Sequence, residues 1–97
     1  MAGRLPRVVW DDENLHHLLV ERADREITCE EVEEVLTDPE TRHEEARDGR
    51  RLAIGRSQAG RPLAGRPLAV IVIGERELRP STAWQITEER WREVHGE

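Results

Sequence analysis

Residues 68–73, Leu-Ala-Val-Ile-Val-Ile, form the longest unbroken apolar run in the chain, and Gly74 closes it. Six residues are too few for a buried helix and suit a strand covered on both faces. On either side the pattern turns to alternation. Before the run, Leu52 and Ile54 alternate with Arg51, Ala53 and Gly55; after it, Leu78, Pro80, Thr82 and Trp84 alternate with Arg79, Ser81 and Ala83. That period of two predicts half-buried strands flanking a central one, joined by a tight turn over 74–77 and a looser connection around 60–65. The expectation is an antiparallel meander of three strands, with a fourth if the charged stretch 40–47 is an exposed edge strand rather than a loop.

Elsewhere the period lengthens to that of a helix. After a short extended lead-in over 7–10, Asp11, Asp12 and Glu13 can accept the orphan amide hydrogens of a first turn, and Leu15, Leu18 and Leu19 give one apolar stripe. Thr28 and Glu31 have capping-box spacing ahead of Cys29, Val32, Val35 and Leu36, and Asp38 with Pro39 ends that second helix. A third helix begins at Thr87 and carries Trp91 and Val94. Each start has an apolar residue before the cap and another inside the first turns: Trp10 with Leu15, Ile27 with Val32, Ile86 with Trp91. The fold class expected is α+β. One small domain over 1–97 carries the meander, with two N-terminal helices packed on it and a C-terminal helix, all on one sheet face. The C-terminal helix could instead exchange between protomers of a homodimer.

Ala-Gly-Arg-Pro-Leu occurs twice in succession, over 59–63 and 64–68. Five is odd, so both copies in one strand would present equivalent side chains to opposite faces. The first copy is therefore expected as a lengthened hairpin tip, removable without loss of the fold, and the second as the approach to the central strand.

Composition narrows the function. The net charge is −6 and all fifteen basic residues are arginine, which excludes lysine-based nucleophilic or Schiff-base chemistry. A single cysteine, no apolar run near 18 residues and no leader-like N-terminus lead to the expectation of a soluble, cytoplasmic protein without disulfides. Residues 1–48 hold fifteen acids against six arginines, whereas 49–73 hold five arginines and no acid. The meander is the locally basic part. Arg50, Arg51 and Arg56 are read either as solvated strand charges or as a surface for phosphates or an acidic partner.

Other chemistry-bearing side chains each have two readings. His17 is either an acid–base group or a helix-surface histidine paired with Glu13 or Glu21 at i,i+4. His16 and His17 diverge by about 100° on a helix and make a poor metal pair, so no metal and no cofactor are expected. Trp84 either stacks an RNA base or, as the last apolar position of its strand, anchors the helices to the sheet. Cys29 is a reactive thiol at a helix start or a small core residue.

Several motifs occur in an order that resembles a known family. They are Val9-Trp10-Asp11-Asp12-Glu13-Asn14, the stretch 28–36 followed by Asp38-Pro39, and Gly49-Arg50-Arg51-Leu52 with Ile54-Gly55-Arg56. Gly65-Arg66-Pro67-Leu68 and Leu78-Arg79-Pro80-Ser81-Thr82-Ala83-Trp84 complete the set. Together they resemble the BrnT-like toxins of type II toxin–antitoxin systems, relatives of the RelE-fold ribonucleases. The resemblance implies RNA cleavage, restrained by a small ribbon-helix-helix antitoxin that also binds DNA. It implies catalytic roles for Arg79 and Thr82, with His17 as acid or base, and RNA contacts from Arg50, Arg51, Arg56 and Trp84. Two departures stand out. Trp84 occupies the position where the family commonly has a second arginine, and Arg25-Glu26-Ile27 replaces its histidine-glycine step. The alternative implied is a non-catalytic protein-binding module of the same fold.

Overall fold

The structure, a computed structural model, describes residues 7–57 and 65–96. Strand β1 (Arg7–Val8) leads to helix α1 (Asp12–His16), which continues into a π-helical turn (His17–Glu21) and a 3₁₀ turn (Ala23–Arg25). Then come helix α2 (Cys29–Thr37), strands β2 (Arg42–Glu45), β3 (Arg50–Arg56), β4 (Pro67–Ile73) and β5 (Glu77–Gln85), and helix α3 (Glu88–His95). The strand order is β1-β5-β4-β3-β2, so the apolar run is the central strand. The class is α+β, but the sheet is five-stranded and mixed. β2 to β5 form the antiparallel meander, with the charged stretch supplying its exposed edge. β1 adds in parallel to β5, where the Arg7 and Val9 amides donate to the carbonyls of Arg76 (3.0 Å) and Leu78 (2.8 Å). Those bonds satisfy the backbone of an otherwise open strand edge. The first AGRPL copy, 59–63, lies outside the described residues. Among the described residues no helix is long and apolar enough to cross a membrane.

The helix-side core differs in one respect from the alternation that predicted it. It gathers Leu18, Ile27, Val32, Val35 and Leu36 from the helical segments with Ala53, Leu68, Val70, Val72, Leu78 and Ala83 from the sheet. In β3 it is therefore Ala53, not Leu52 and Ile54, that faces the helices. Gly55 shows why: a Cβ there would collide with the Thr41 hydroxyl and sit 3.2 Å from a Val35 methyl, so α2 packs where β3 carries its smallest residues. Thr41 is buried and donates to the Val35 carbonyl (2.6 Å), which locks the end of α2 to this spot. Arg56, next along the strand, points to the opposite face. There it meets α3, stacking over the Trp91 ring at 4.5 Å and pairing with Glu88. The three helices thus do not share one face: α3 lies across the sheet from α1 and α2. Buried Ile54 and Ala69 belong to its side.

In β5 the alternation breaks. Ile71 pairs with Thr82 but Val72 pairs with Pro80, so Ser81 is an extra residue, a β-bulge. Leu78 and Pro80 face inward before it, and Ala83 does so after it. Trp84 is consequently half-buried in the row Ile54–Ala69–Trp84, on the face away from α1 and α2, and does not anchor those helices.

All three helix starts carry their expected caps. The side chains of Asp11, Thr28 and Thr87 accept from the amides of Asn14, Glu31 and Arg90 at 3.0, 3.1 and 3.0 Å. The apolar stripe of the first helix does not survive intact. After His16 the hydrogen bonding widens to i→i+5, with the Arg22 amide donating to the His17 carbonyl (3.0 Å), and Leu19 is left 47% exposed. Buried Asn14 holds α1 down instead, donating to the carbonyls of Val9 (3.1 Å) and Pro80 (3.0 Å).

One ion pair ties the layers together. Arg66, just ahead of β4, donates to both carboxylate oxygens of Glu31 (2.8 and 2.7 Å) and also to the Glu26 carbonyl. Glu31 simultaneously accepts from the Thr28 amide (3.2 Å) and the Ser57 hydroxyl (3.2 Å), and its side chain is only 13% exposed. The neighbouring Gly65 is required by closeness, because any side chain there would run into the Ser57 carbonyl.

Two outcomes are expected. Gly55→Ala should cost about 1–3 kcal/mol in denaturant unfolding, because Thr41 and Val35 must move. The hydrogen bonds from Arg66, foremost, hold the Glu31 carboxyl below its ordinary pKa against the opposing effect of burial. Its contribution is therefore complete above the ordinary glutamate range and fades as pH falls through the depressed folded-state value. Glu31→Gln should lose about 2 kcal/mol at pH 7, a loss that shrinks toward pH 3 in denaturation curves across pH.

Candidate functional site

The π-helical turn brings His17 against β5. Its Nδ1 lies 3.0 Å from the Glu21 carboxylate and its Nε2 lies 3.0 Å from the Thr82 hydroxyl. The 3₁₀ turn brings Arg25 to the same hydroxyl, with Nη1 3.2 Å from Thr82 Oγ1 and 2.9 Å from the Ala83 carbonyl. Donor and acceptor counting orients the whole chain of bonds. Glu21 can only accept, so the neutral ring carries its proton on Nδ1; Nε2 then accepts from the Thr82 hydroxyl, whose oxygen accepts from Arg25. The result is a polarised relay from carboxylate through imidazole and hydroxyl to guanidinium.

Two local irregularities build this arrangement. The i→i+5 turn adds a residue to the first helix, and the bulge at Ser81 adds one to the strand beneath it. The connection then turns at Glu26, whose φ of 54° is in the left-handed region, and Arg66 holds the Glu26 carbonyl. The crevice between Trp10, Asn14, Pro80 and Thr82 leaves no water-sized space, so the relay sits on the surface rather than inside a cleft. The His17 side chain is 31% exposed.

Of the residues singled out in the sequence, His17 and Thr82 come together, and the Glu21 partner of His17 is the one its spacing suggested. Arg79 is engaged elsewhere. Its guanidinium donates to both Asp11 oxygens (2.7 and 3.1 Å) and to Glu13 (2.7 Å), and the Arg79 hydrogen bond holds the Asp11 carboxyl below its ordinary pKa. Arg51 donates to the Gly74 carbonyl (2.6 Å), and Arg56 donates to both oxygens of Glu88 (3.0 and 2.6 Å) and to the Gly65 carbonyl (2.9 Å). Arg50 is exposed. Arg50 and Arg56 stand six residues apart on β3, about 20 Å at the rise of an extended strand, and β4 separates both from β5. They do not form one patch with the relay.

Arg25 is the site residue that the sequence reading passed over. Only its place in the departure from the family's histidine-glycine step marked it. Among the described residues it makes no ion pair, in contrast to Arg56, Arg66 and Arg79. Burial foremost, and nearby Glu33, push the Cys29 thiol up, and Cys29 packs against the core, as a small core residue rather than a reactive thiol. Among the described residues no three metal-ligating side chains converge. On the α3 side, a groove of about 670 Å³ is bordered by Asp38, Thr41, Arg42, Arg56, Trp91 and His95. There the Trp91 indole nitrogen and both His95 ring nitrogens are buried without a hydrogen-bond partner among the described residues.

Comparison with known protein families, curated proteins and solved structures finds no match to this chain.

If Arg79 is held by Asp11 as described, Arg79→Ala should return the Asp11 carboxyl upward toward an ordinary aspartate value. An NMR titration of the side-chain carboxyls, wild type against variant, reads that direction directly.

Proposed function

We propose that the protein is a toxin-type endoribonuclease whose reacting centre is the Glu21–His17–Thr82–Arg25 relay. The observation that carries this reading is the imidazole held between a carboxylate and a hydroxyl, next to a guanidinium that no carboxylate of the described residues neutralises. Attack of a ribose 2′-hydroxyl on the adjacent phosphorus needs a base for the 2′ proton and positive charge for the phosphorane oxygens. His17 Nε2 takes the proton once the 2′-hydroxyl replaces Thr82 as its donor. Glu21 steadies the imidazolium through Nδ1. Arg25 faces the negative charge that grows on the non-bridging oxygens. The P–O5′ bond breaks, and the leaving oxygen takes a proton from the imidazolium or from water, giving a 2′,3′-cyclic phosphate and a 5′-hydroxyl.

A shallow surface centre suits a polymer better than an enclosed small molecule. Arg79, through Asp11 and Glu13, fixes the start of the helix that delivers His17 and so acts as a positioning residue. Exposed Arg50 and half-buried Trp84 remain available to RNA, and a ribbon-helix-helix antitoxin is the partner this reading implies. The second reading, a non-catalytic binding module, is favoured by one observation: the groove on the α3 side, which Arg56, Trp91 and His95 border.

Purified protein incubated with single-stranded RNA, with and without ribosomes, should give fragments ending in 2′,3′-cyclic phosphate. His17→Asn and Arg25→Ala should each reduce the cleavage rate about 100-fold or more without changing the fold. On expression, the growth arrest produced by the wild type should be relieved by the same substitutions. Neither cleavage nor arrest by the wild type would leave the binding module as the surviving reading.

A further inference from the structure

The β2 edge of the sheet ends in four exposed polar residues, Arg42, His43, Glu44 and Glu45. Among the described residues none of them makes an ion pair. The Ala46 amide donates to the Arg50 carbonyl (2.8 Å), so by the alternation of an antiparallel ladder the backbone groups of Arg42 and Glu44 are directed at β3. Those of His43 and Glu45 are directed outward, with no strand beyond them among the described residues. Charged edges ordinarily keep copies of a chain apart. A run of one sign would do so here, but this edge carries opposite signs two residues apart on one face.

We infer that β2 pairs with β2 of a second copy of this chain, antiparallel about a two-fold axis through His43. Symmetry restricts the register. A two-fold that makes antiparallel strands stands perpendicular to the sheet and preserves its faces, so a residue pairs only with one an even number of positions away, or with itself. Centred on Glu44, the pairing sets two carboxylates directly opposite each other. Centred on His43, it sets Arg42 opposite Glu44 of the partner subunit, twice by symmetry, and lets the outward amides of His43 and Glu45 find carbonyls across the edge. Those two Arg–Glu pairs fall at positions without backbone hydrogen bonds, where cross-strand side chains approach most closely. The meanders of the two copies then join into one continuous sheet, with the relay of each copy on β5, far from the junction. A four-residue edge is a small interface, so the association depends on concentration. The pairing is independent of the ribonuclease reading and holds for a catalytic or a non-catalytic protein.

Sedimentation equilibrium of the full chain at neutral pH and low salt, over a wide concentration range, tests it. The wild type should show a dimer that grows with concentration. Glu44→Arg, which sets arginines opposite arginines, should weaken association by about tenfold or more. Exchanging the charges, Arg42→Glu with Glu44→Arg, should restore it. Far-UV circular dichroism confirms that these surface variants stay folded. A wild type that is monomeric at every concentration, leaving the edge to solvent or to a strand of another protein, overturns the inference. So does a dimer indifferent to Glu44→Arg, or a charge-exchanged chain that associates no better than the single variant.

Discussion

The carboxylate of Glu31 is the point on which the architecture converges. It completes the cap of α2 at Thr28, accepts the Ser57 hydroxyl at the end of β3, and receives both arms of Arg66 at the start of β4. Arg66 extends the connection to the Glu26 carbonyl and to the Gln85 side chain at the end of β5 (3.3 Å). A partly buried ion pair of this kind repays its desolvation only when further hydrogen bonds fill the remaining positions on both groups. Here those further partners are the chain segments that must meet. The segment carrying Arg25 ends at Glu26, so the placement of the guanidinium beside Thr82 depends on the same carboxylate, at one remove.

Charge pairing engages several of the chain's fifteen arginines. Glu88 neutralises Arg56, Glu31 neutralises Arg66, and Asp11 with Glu13 neutralises Arg79. These acids come from helices and helix caps, whereas two of the three arginines come from the acid-free stretch 49–73, so part of the asymmetry along the sequence is offset in space. Among the arginines that make no ion pair with a described residue are Arg25 at the relay and Arg42 at the edge.

Much of this was legible in the sequence, for reasons that are local. Asp11, Thr28 and Thr87 were recognisable as caps because a side-chain acceptor three residues ahead of an orphan amide is a short-range device. The run 68–73 was recognisable as the central strand because only a strand covered on both faces stays apolar at every position. The facing of β3 was not legible. Leu52 and Ile54 look like the inward residues, yet Ala53 and Gly55 face α2, because helix-to-strand distance rather than side-chain size decided the packing. The relay was half legible. His17 and Glu21 are neighbours at helical spacing, but the i→i+5 turn that aims the ring at Thr82 leaves no mark in an otherwise helical pattern. Arg25 meets Thr82 across 57 positions, a pairing no periodicity encodes.

The bulge at Ser81 makes β5 two strands in one as far as mutation is concerned. Upstream of it, even-numbered positions are interior; downstream, odd-numbered ones are. A length change of one residue within most strands inverts everything that follows, but loss of the residue at 81 would return β5 to uniform pairing and leave Ala83 opposite Val70 and Trp84 opposite Ala69, each on the face it already occupies. The relay's hydroxyl sits directly beside that junction. The strand thus carries a residue it could lose without changing its facing, one position ahead of the chemistry, beside the Thr82 hydroxyl that His17 reaches at 3.0 Å.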